Sequence, residues 1–490
     1  MKMTKNKDVE MDMDELHYLS ATDILHKIHT KVLSVEEIFI NLLARIKTVN
    51  NDLNALVYYD EEKLLSLAKK ADQTISNNKH IGRPLFGLPV TIKDNIEVKG
   101  MVTTGGIKGR KDFVPSFDAT VIKRLKEAGA IIIGKTNCPA FCTGYETQNE
   151  IYGRTNNPYD LERTVGSSSG GEAALIAAGG SYLGLGSDSG GSIRWPSAFC
   201  GIASLVPTFG RVPRTGTIPP YLGFLDTTQI GPMARTVKDL LLILPIIMGS
   251  DNWDPRCYPM TYDEPGQIEL DDLQVAYYSD NGFVSPDPSV AQVISNVADT
   301  LSENNITVQE EYPLASKKYL KVVNGLNAFS ANIDPTTAPS MHELEEPIEL
   351  YPDKIYKLTD EWVKRSKKTK GEEAMLGVEY QFWSYKWDAY RSEMMQFMNQ
   401  YDAIICPTSA KPAFEHGASA KKEFNGMDLL SYTHPYSFVG FPSVTLRGGE
   451  TSNGLPIGFQ ILTAHGQEGL ALKIALYLEE KLGGWQQPSI

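Results

Sequence analysis

Two short loops of glycine and serine constrain this 490-residue chain more than any other feature. The first loop has the sequence Gly-Ser-Ser-Ser-Gly-Gly over residues 166–171, and the second has Gly-Ser-Asp-Ser-Gly-Gly-Ser over residues 186–192. Glycine lets the backbone adopt positive φ angles and come close to a ligand. Consecutive N–H groups in such a loop can point at one oxygen atom, so the pattern predicts an oxyanion-binding loop that ends at Ser192.

From residue 85 onward, short β-rich runs alternate with helical segments. Leu88–Ile92 and Ala130–Ile133 have strand composition, and Asp118–Ala128 lies between them with helical composition. This alternation is typical of an α/β layered fold. Residues 341–401 differ, because they are rich in charge, aromatic residues and methionine at helical spacing. We expect a helical insertion there, and both a pocket lining and a packing core remain open for its aromatic side chains.

Composition narrows the class of protein. The chain has 47 basic and 60 acidic residues and a formal charge of −13, which disfavours nucleic acid and anionic membranes as partners. Its five cysteines are odd in number and form no C-x-x-C pair, which suits a reducing compartment. The most apolar run, Leu240–Met248, contains Pro245 and is too short to span a membrane. We expect a cytoplasmic protein with no transmembrane segment.

Lys93 is a candidate general base. It ends an apolar, strand-like run that begins at Pro89. A lysine accepts a proton only as a neutral amine, and we expect burial at this strand end to favour that form. Asp94 points to the opposite face of a strand and need not pair with it. The alternative is a surface lysine at a strand end.

Three consecutive serines compete for one role in the first loop. Ser169 and Glu172 have the S-x-x-E spacing of a capping box, which predicts that Ser169 caps a helix over Glu172–Ala178. Ser34 and Glu37 have the same spacing near the N-terminus. Ser168 is then free to pass a proton between a base and Ser192.

These residues resemble the amidase signature family. Lys93 lies 75 positions before Ser168, which lies 24 positions before Ser192, as in the Ser-Ser-Lys arrangement of that family. The resemblance extends over residues 149–158 and 454–460. Residues 180–186 and 196–202 are most similar to fatty acid amide hydrolase-like bacterial amidases. It implies that Lys93 is the base, that Ser168 bridges after a cis peptide bond and that Ser192 is the nucleophile of an amide hydrolase.

The resemblance also implies further parts of the site and of the fold. Backbone N–H groups would form the oxyanion hole, and two weaker positions would line an acyl pocket. The oxyanion donors would be Ser189, Gly190, Gly191 and Ser192, and the pocket residues Cys142 and Gly144. The implied fold is a single α/β/α layered domain over residues 1–490, around a mixed, largely parallel twisted sheet. Within it, residues 85–232 would be the signature core, and the insertion at 341–401 could cover the active site.

Several alternatives stay open. An A subunit of a glutamyl-tRNA(Gln) amidotransferase shares the same catalytic core, an esterase or carbamate hydrolase could use the same machinery, and a catalytically dead binding protein could keep the fold. Trp195 and the long aromatic insertion favour a stand-alone hydrolase of a small-molecule amide. No metal or cofactor is expected, and whether the chain forms a homodimer is open.

Three further patterns are interpreted as lacking a catalytic role. Residues 129–136 match the Walker A spelling, but their strand composition and the preceding helix argue against a phosphate-binding loop. Asp188 and Arg194 flank Ser192, and we expect a charge pair that holds the loop. His434, which precedes Pro435, is interpreted as a satisfied loop histidine, and an approach to the pocket is the alternative. The glycine of a G-x-S-x-G nucleophile elbow is replaced by Arg194, which disfavours that class of hydrolase.

Overall fold

An eleven-stranded mixed sheet forms the centre of the computed structural model, which describes residues 15–219, 227–319, 322 and 377–490. In chain order, the first half of this sheet is built from six strands. They are β1 (Leu56–Tyr59), β2 (Pro89–Lys93), β3 (Ile131–Thr136), β8 (Leu183–Asp188), β9 (Ala203–Val206) and β10 (Gln229–Ala234). Between β3 and β8, the short strands β4 (Gln148–Asn149), β5 (Gly153–Arg154), β6 (Asn156–Asn157) and β7 (Asp160–Thr164) form two separate hairpins.

The second half of the sheet comes from the C-terminal part of the chain. Its strands are β11 (Gln274–Tyr277), β12 (Thr307–Glu310), β13 (Ala403–Pro407), β14 (Ser443–Glu450) and β15 (Pro456–Leu462). The strand order is β1-β3-β2-β8-β10-β9-β14-β15-β13-β11-β12. The β9–β14 pairing joins the two halves, so one continuous sheet runs through the described residues.

Helices flank this sheet. In chain order they are α1 (Ala21–His29), α2 (Val35–Leu53), α3 (Glu61–Ser76), α4 (Thr120–Glu127), α5 (Gly170–Ala177), α6 (Arg194–Phe199), α7 (Val237–Ile247), α8 (Pro288–Ser302), α9 (Gly377–Met398), α10 (Met427–Val439) and α11 (Glu468–Leu482). Within the described ranges, no helix combines the length and the apolarity that crossing a membrane requires.

The predicted α/β class and mixed sheet are confirmed, with one correction to strand direction. Among the described strand pairs of the large sheet, four are parallel, namely β2–β3, β2–β8, β11–β12 and β11–β13. The other six are antiparallel. The sheet is therefore not largely parallel, because each of the strands β10, β9, β14 and β15 runs antiparallel to both of its neighbours in the sheet.

Of the two predicted capping boxes, one forms in the structure. Ser34 accepts a hydrogen bond from the Glu37 N–H while the Glu37 carboxylate accepts one from the Ser34 N–H, so the first capping box forms. The second does not form. Ser169 does precede helix α5, but its hydroxyl donates to the Ser187 carbonyl at 3.2 Å. Glu172 is fully buried and accepts hydrogen bonds from the Thr91 and Thr136 hydroxyls instead.

The Walker A spelling belongs to strand β3. Ile131–Thr136 pairs with β2 on one side and β1 on the other, and the Lys135 side chain is fully buried. Its ammonium contacts the Ile96 carbonyl and the Thr103 hydroxyl. Burial lowers the pKa of Lys135 to about 8. A strand bonded on both edges cannot wrap a phosphate, so the segment is structural.

The predicted insertion at residues 341–401 lies mostly outside the described residues. Helix α9 is its described part. Trp387, Tyr390 and Met394 on α9 are buried, and the first two donate hydrogen bonds to the carbonyls of Phe438 and Pro435 on α10, at 2.9 and 2.8 Å. These three side chains therefore belong to a packing core.

We expect Gly134→Ala to destabilise the fold. A Cβ on Gly134 would lie 2.0 Å from the Tyr58 carbonyl oxygen across the β1–β3 pair, so the backbones must separate. Overpacking of this kind costs about 1 to 3 kcal/mol, measured as the free energy of urea unfolding. Gly266→Ala is the control, since nothing lies within 4 Å of its Cβ position. Equal stability of the two variants would contradict the assigned sheet edge.

Candidate active site

Two of the three predicted catalytic residues, Lys93 and Ser192, come from the carboxyl ends of adjacent strands. Lys93 is the last residue of β2, Ser192 follows β8, and Ser168 lies just before α5. Strands β2 and β8 are neighbours and run parallel, with Ile92 opposite Leu185. Their carboxyl ends therefore meet at the same edge of the sheet, which is where ligands of open α/β sheets commonly bind.

Lys93 is fully buried and contacts three oxygen atoms. Its Nζ lies 2.6 Å from Ser168 Oγ, 2.9 Å from Ser187 Oγ and 3.1 Å from the Ser187 carbonyl oxygen. Lys93 forms no ion pair with any residue in the described part of the chain. Asp94 is turned away, as expected, and accepts hydrogen bonds from the Thr104 N–H and hydroxyl.

Ser187 was not singled out from the sequence, although it belongs to the second glycine-serine loop. Its hydroxyl donates to the Asn95 side-chain oxygen at 3.3 Å. The hydroxyl proton is thereby directed at Asn95, so Ser187 Oγ is left to accept from Lys93. The sequence predicted a loop at 186–188, but these residues end strand β8, and the strand pairing is what aims Ser187 at the lysine.

Ser168 is held in the position that the family resemblance implies. The Ser167–Ser168 peptide bond is cis, and the Ser168 side chain is almost completely buried. The neighbouring Ser169 N–H donates to the Ser192 carbonyl oxygen at 3.0 Å, which fixes the two loops to each other. Ser192 itself is partly exposed, and its hydroxyl makes no hydrogen bond to another described residue. The Lys93–Ser168 contact is therefore formed, whereas Ser192 lies in the adjoining loop with its hydroxyl unbound.

A buried ion pair holds the second loop, as predicted. Arg194 Nη2 and Nε lie 2.9 and 3.1 Å from the two carboxylate oxygens of Asp188. Asp188 also accepts from the backbone N–H groups of Gly191 at 2.7 Å and Ile193 at 2.9 Å. Burial alone would raise the pKa of Asp188, but Arg194 and these N–H groups outweigh burial and lower it.

The four predicted oxyanion donors are not equivalent. The Gly191 N–H is already bonded to Asp188. The N–H groups of Ser189, Gly190 and Ser192 have no acceptor among the described residues. Gly191 has a φ of 143°, and a Cβ there would lie 2.3 Å from Trp195 Cε2, so only glycine fits at this turn.

The two predicted pocket residues are placed differently. Cys142 follows a turn in which both Phe141 and Cys142 have positive φ. A hydrogen bond from the Cys138 thiol, with smaller effects of Lys93 and of a Ser168 hydrogen bond, lowers the pKa of Cys142 against the opposing effect of burial. Cys142 is therefore close to both Lys93 and Ser168. Gly144 is exposed, and nothing lies within 4 Å of its Cβ position.

His434 lies in helix α10 rather than in a loop, because Pro435 is accommodated inside that helix. Its imidazole packs against Gly190, where a Cβ would lie 2.7 Å from His434 Cδ2. The Tyr319 hydroxyl forms a hydrogen bond with His434 Nδ1. The 244 positions between Gly190 and His434 leave no local signal for this contact, so only the tertiary structure reveals it.

Comparisons with known proteins agree on one family. A family model described as Amidase matches residues 37–472. The chain is 34% identical to the A subunit of the glutamyl-tRNA(Gln) amidotransferase of Carboxydothermus hydrogenoformans, over 95% of this chain and 98% of that one. It is 32% identical to an acylamidase of Rhodococcus erythropolis, over 96% of both. A solved structure of 6-aminohexanoate cyclic dimer hydrolase superposes with a TM-score of 0.79 at 26% identity, over 98% of this chain and 99% of that one.

The fold and these matches define an amide-hydrolysing enzyme. The chain belongs to the amidase family, also called the amidase signature family, over most of its length. The family predicted from the two glycine-serine loops and Lys93 is thereby confirmed.

We expect Asp188→Asn to destabilise the protein, because it leaves the buried Arg194 without its counter-charge. Removing one partner of a buried pair costs about 3 to 5 kcal/mol of unfolding free energy. Asp112→Asn, at an exposed pair with Lys111, is the matched control and should change little.

The same pair gives a pH dependence with a defined sign. The pKa of Asp188 is lower in the folded than in the unfolded protein, so its contribution is present above about pH 4 and is lost as the pH falls through the folded value. Urea unfolding between pH 7 and pH 3 should therefore show a smaller pH dependence in Asp188→Asn than in the wild type. Parallel pH profiles would contradict the assigned pair.

Proposed function

We propose that this protein hydrolyses the C–N bond of a small-molecule carboxylic amide through an acyl-enzyme on Ser192, with Ser168 as the proton bridge and Lys93 as the base. The observation that carries the proposal is the set of contacts around Lys93 Nζ. A neutral amine has two N–H donors and one lone pair. The two oxygen atoms of Ser187 take the donors, because its hydroxyl proton points to Asn95. The lone pair then faces the Ser168 hydroxyl.

The reaction follows from this order of contacts. As Ser192 Oγ forms a bond to the amide carbon, its proton moves to Ser168 Oγ, and the Ser168 proton moves to Lys93 Nζ. The carbonyl oxygen gains negative charge as its π bond opens. Lys93 then returns a proton through Ser168 to the leaving nitrogen, the C–N bond breaks, and an ester on Ser192 remains. Water, deprotonated by the same route, releases the acid.

The Ser189, Gly190 and Ser192 N–H groups would bind the developing oxyanion. They are the predicted donors that have no protein acceptor in the described residues, whereas the Gly191 N–H holds Asp188. Each missing oxyanion donor costs about 2.7 to 4 kcal/mol of transition-state stabilisation. The Ser192 hydroxyl reaches Ser168 when substrate binds, since catalytic hydrogen bonds commonly tighten in the Michaelis complex.

The domain organisation and the cellular environment are proposed on the basis of the same fold. Residues 85–232 supply Lys93, Ser168 and Ser192, and we assign them as the signature core of a single domain over residues 1–490. Helix α9, the described part of the predicted insertion, packs on α10, which contacts the Ser192 loop, so we propose that the insertion covers the site through this helix. Cys142 and Gly144 remain the proposed acyl-pocket positions. Free thiols at all five cysteines suit a cytoplasmic protein.

Substitution of the three side chains tests the mechanism. Ser192→Ala should abolish turnover of a panel of aryl, alkyl and peptide amides, and labelling of folded protein by a fluorophosphonate probe should disappear with it. Lys93→Ala and Ser168→Ala should each lower kcat by about 10² to 10⁴, the usual contribution of general base catalysis.

Exposed residues of the same types provide the controls. Lys123→Ala and Ser76→Ala should keep the wild-type rate, since both side chains face solvent. Wild-type protein that is folded but is not labelled at Ser192 would identify a dead binding protein instead. Faster cleavage of esters or carbamates than of matched amides would move the substrate class to those compounds.

The amidotransferase A subunit is the second candidate, because a protein of that name is 34% identical over nearly its whole length. Such a protein would release ammonia from glutamine only with its partner subunits and charged tRNA. If our proposal is correct, the purified chain hydrolyses simple amides without any added partner subunit or tRNA. Glutamine-dependent ammonia release that requires added partners, with no turnover of other amides, would favour the amidotransferase.

A further inference from the structure

The imidazole of His434 lies against the backbone of the Ser192 loop. A Cβ on Gly190 would lie 2.7 Å from His434 Cδ2 and 3.1 Å from His434 Nε2. The edge of the ring that carries Nε2 is therefore next to Gly190. This glycine also supplies one of the unbonded N–H groups assigned above to the oxyanion hole.

Helix α10 holds His434 in this place through its neighbour Thr433. The Thr433 hydroxyl donates to the Gly190 carbonyl oxygen at 2.6 Å and accepts from Trp195 Nε1 at 3.0 Å. Arg194 Nη1 donates to the Thr433 carbonyl oxygen at 3.0 Å. Helix α10 is thus bonded to Gly190 of the Ser192 loop and to Arg194 and Trp195 of helix α6, and these bonds hold His434 in place against the loop.

Tyr319 sets which ring nitrogen of His434 carries the proton. Burial raises the pKa of Tyr319 well above its ordinary value, so the phenol keeps its proton. The buried phenol has His434 Nδ1 as its hydrogen-bond partner among the described residues. If Nδ1 were protonated, the phenol proton would lack an acceptor, so the phenol donates to Nδ1. A neutral imidazole then carries its own proton on Nε2.

The ring is neutral in the working pH range. Burial, together with the nearby charge of Arg194, lowers the pKa of His434 to about 4. His434 is nevertheless only partly buried, and Nε2 donates to no acceptor in the described part of the chain. A fixed, uncharged donor without an acceptor among the described residues therefore lies beside the backbone that would receive the scissile carbonyl.

We propose that His434 is a specificity-determining residue whose Nε2–H donates a hydrogen bond to a second acceptor atom of the substrate, close to the scissile carbonyl. The proposal rests on the function assigned above to Ser192. The preferred amides carry an ether, hydroxyl or carbonyl oxygen a few bonds from the amide carbon, in either the acyl or the amine part. Sites built to hydrogen-bond a substrate group discriminate against the analogue that lacks it, because the buried donor is then left unpaired.

Matched substrates that exchange one methylene for oxygen test this. On the acyl side we compare 2-methoxy-N-phenylacetamide with butyranilide, and on the amine side N-(2-methoxyethyl)benzamide with N-butylbenzamide. The kcat/KM ratio within each pair is measured for the wild type and for His434→Phe. Intrinsic reactivity cancels when the ratios of the two enzymes are compared. The ether preference should fall about fivefold to tenfold in the variant, the effect of one lost hydrogen bond.

Two further variants separate hydrogen bonding from packing. His434→Gln places an amide donor near the Nε2 position and should restore part of the ether preference. His26→Phe, at an exposed histidine of helix α1, should keep both ratios. A change in the acyl pair alone places the acceptor in the acyl part, and a change in the amine pair alone places it in the amine part. Unchanged ratios in both pairs would overturn the proposal.

The tautomer is measured without substrate. In protein labelled with ¹⁵N-histidine, the His434 signals lost in His434→Phe should show a protonated Nε2 and an unprotonated Nδ1, and Tyr319→Phe should shift them. A protonated Nδ1 would refute the proposal.

Fluorophosphonate labelling of Ser192, in the wild type and in His434→Phe, keeps the two proposals distinct. Folded wild-type protein that is not labelled would refute the catalytic assignment. Unchanged kcat/KM ratios with labelling intact would refute only the role of His434.

Discussion

The contact of a buried lysine with two serines is the interaction on which the rest of this structure depends. Lys93 has no carboxylate partner among the described residues and is fully buried, and its amine is satisfied by hydroxyl and carbonyl oxygens alone. A buried amine without a carboxylate partner needs hydrogen-bond partners for its polar atoms, because unpaired polar groups are costly to bury. The fold therefore has to bring Ser168 and Ser187 to the end of β2 with small tolerance.

Adjacent parallel strands meet this requirement. Lys93 and Ser187 come from the carboxyl ends of β2 and β8, and Ser169 ties the first loop to the same edge through the Ser187 carbonyl. On the other side of the second loop, the Asp188–Arg194 pair and helix α10 fix the backbone around Gly190 and Gly191. Because the loop is bonded on both sides, its backbone is held in one orientation, which is the preorganisation that the proposed oxyanion hole requires.

The sequence was most informative where chemistry demands particular residues at short range. Glycine at 190 and 191, and serine at 168 and 192, indicated the loops, and the apolar run before Lys93 indicated a buried strand end. Predictions from the sequence were wrong where a side chain had two possible hydrogen-bond partners. Ser169 and Glu172 match a capping box, yet Ser187, Thr91 and Thr136 compete for them in the folded protein. Strand direction was also beyond local patterns, since parallel and antiparallel strands of a buried sheet share the same apolar composition.

The sequence alone determined the α/β class, the family and the three candidate catalytic side chains, because those depend on residue type and spacing. Only the tertiary structure decided the antiparallel strands of the sheet, the role of Ser187 as acceptor for Lys93, the use of the Gly191 N–H by Asp188, and the contact of His434 with Gly190. Each of these joins groups whose partners are chosen by burial and competition in the folded chain. Spacing along a chain cannot rank such competing partners, since their hydrogen bonds differ in free energy by little until the surrounding residues exclude water.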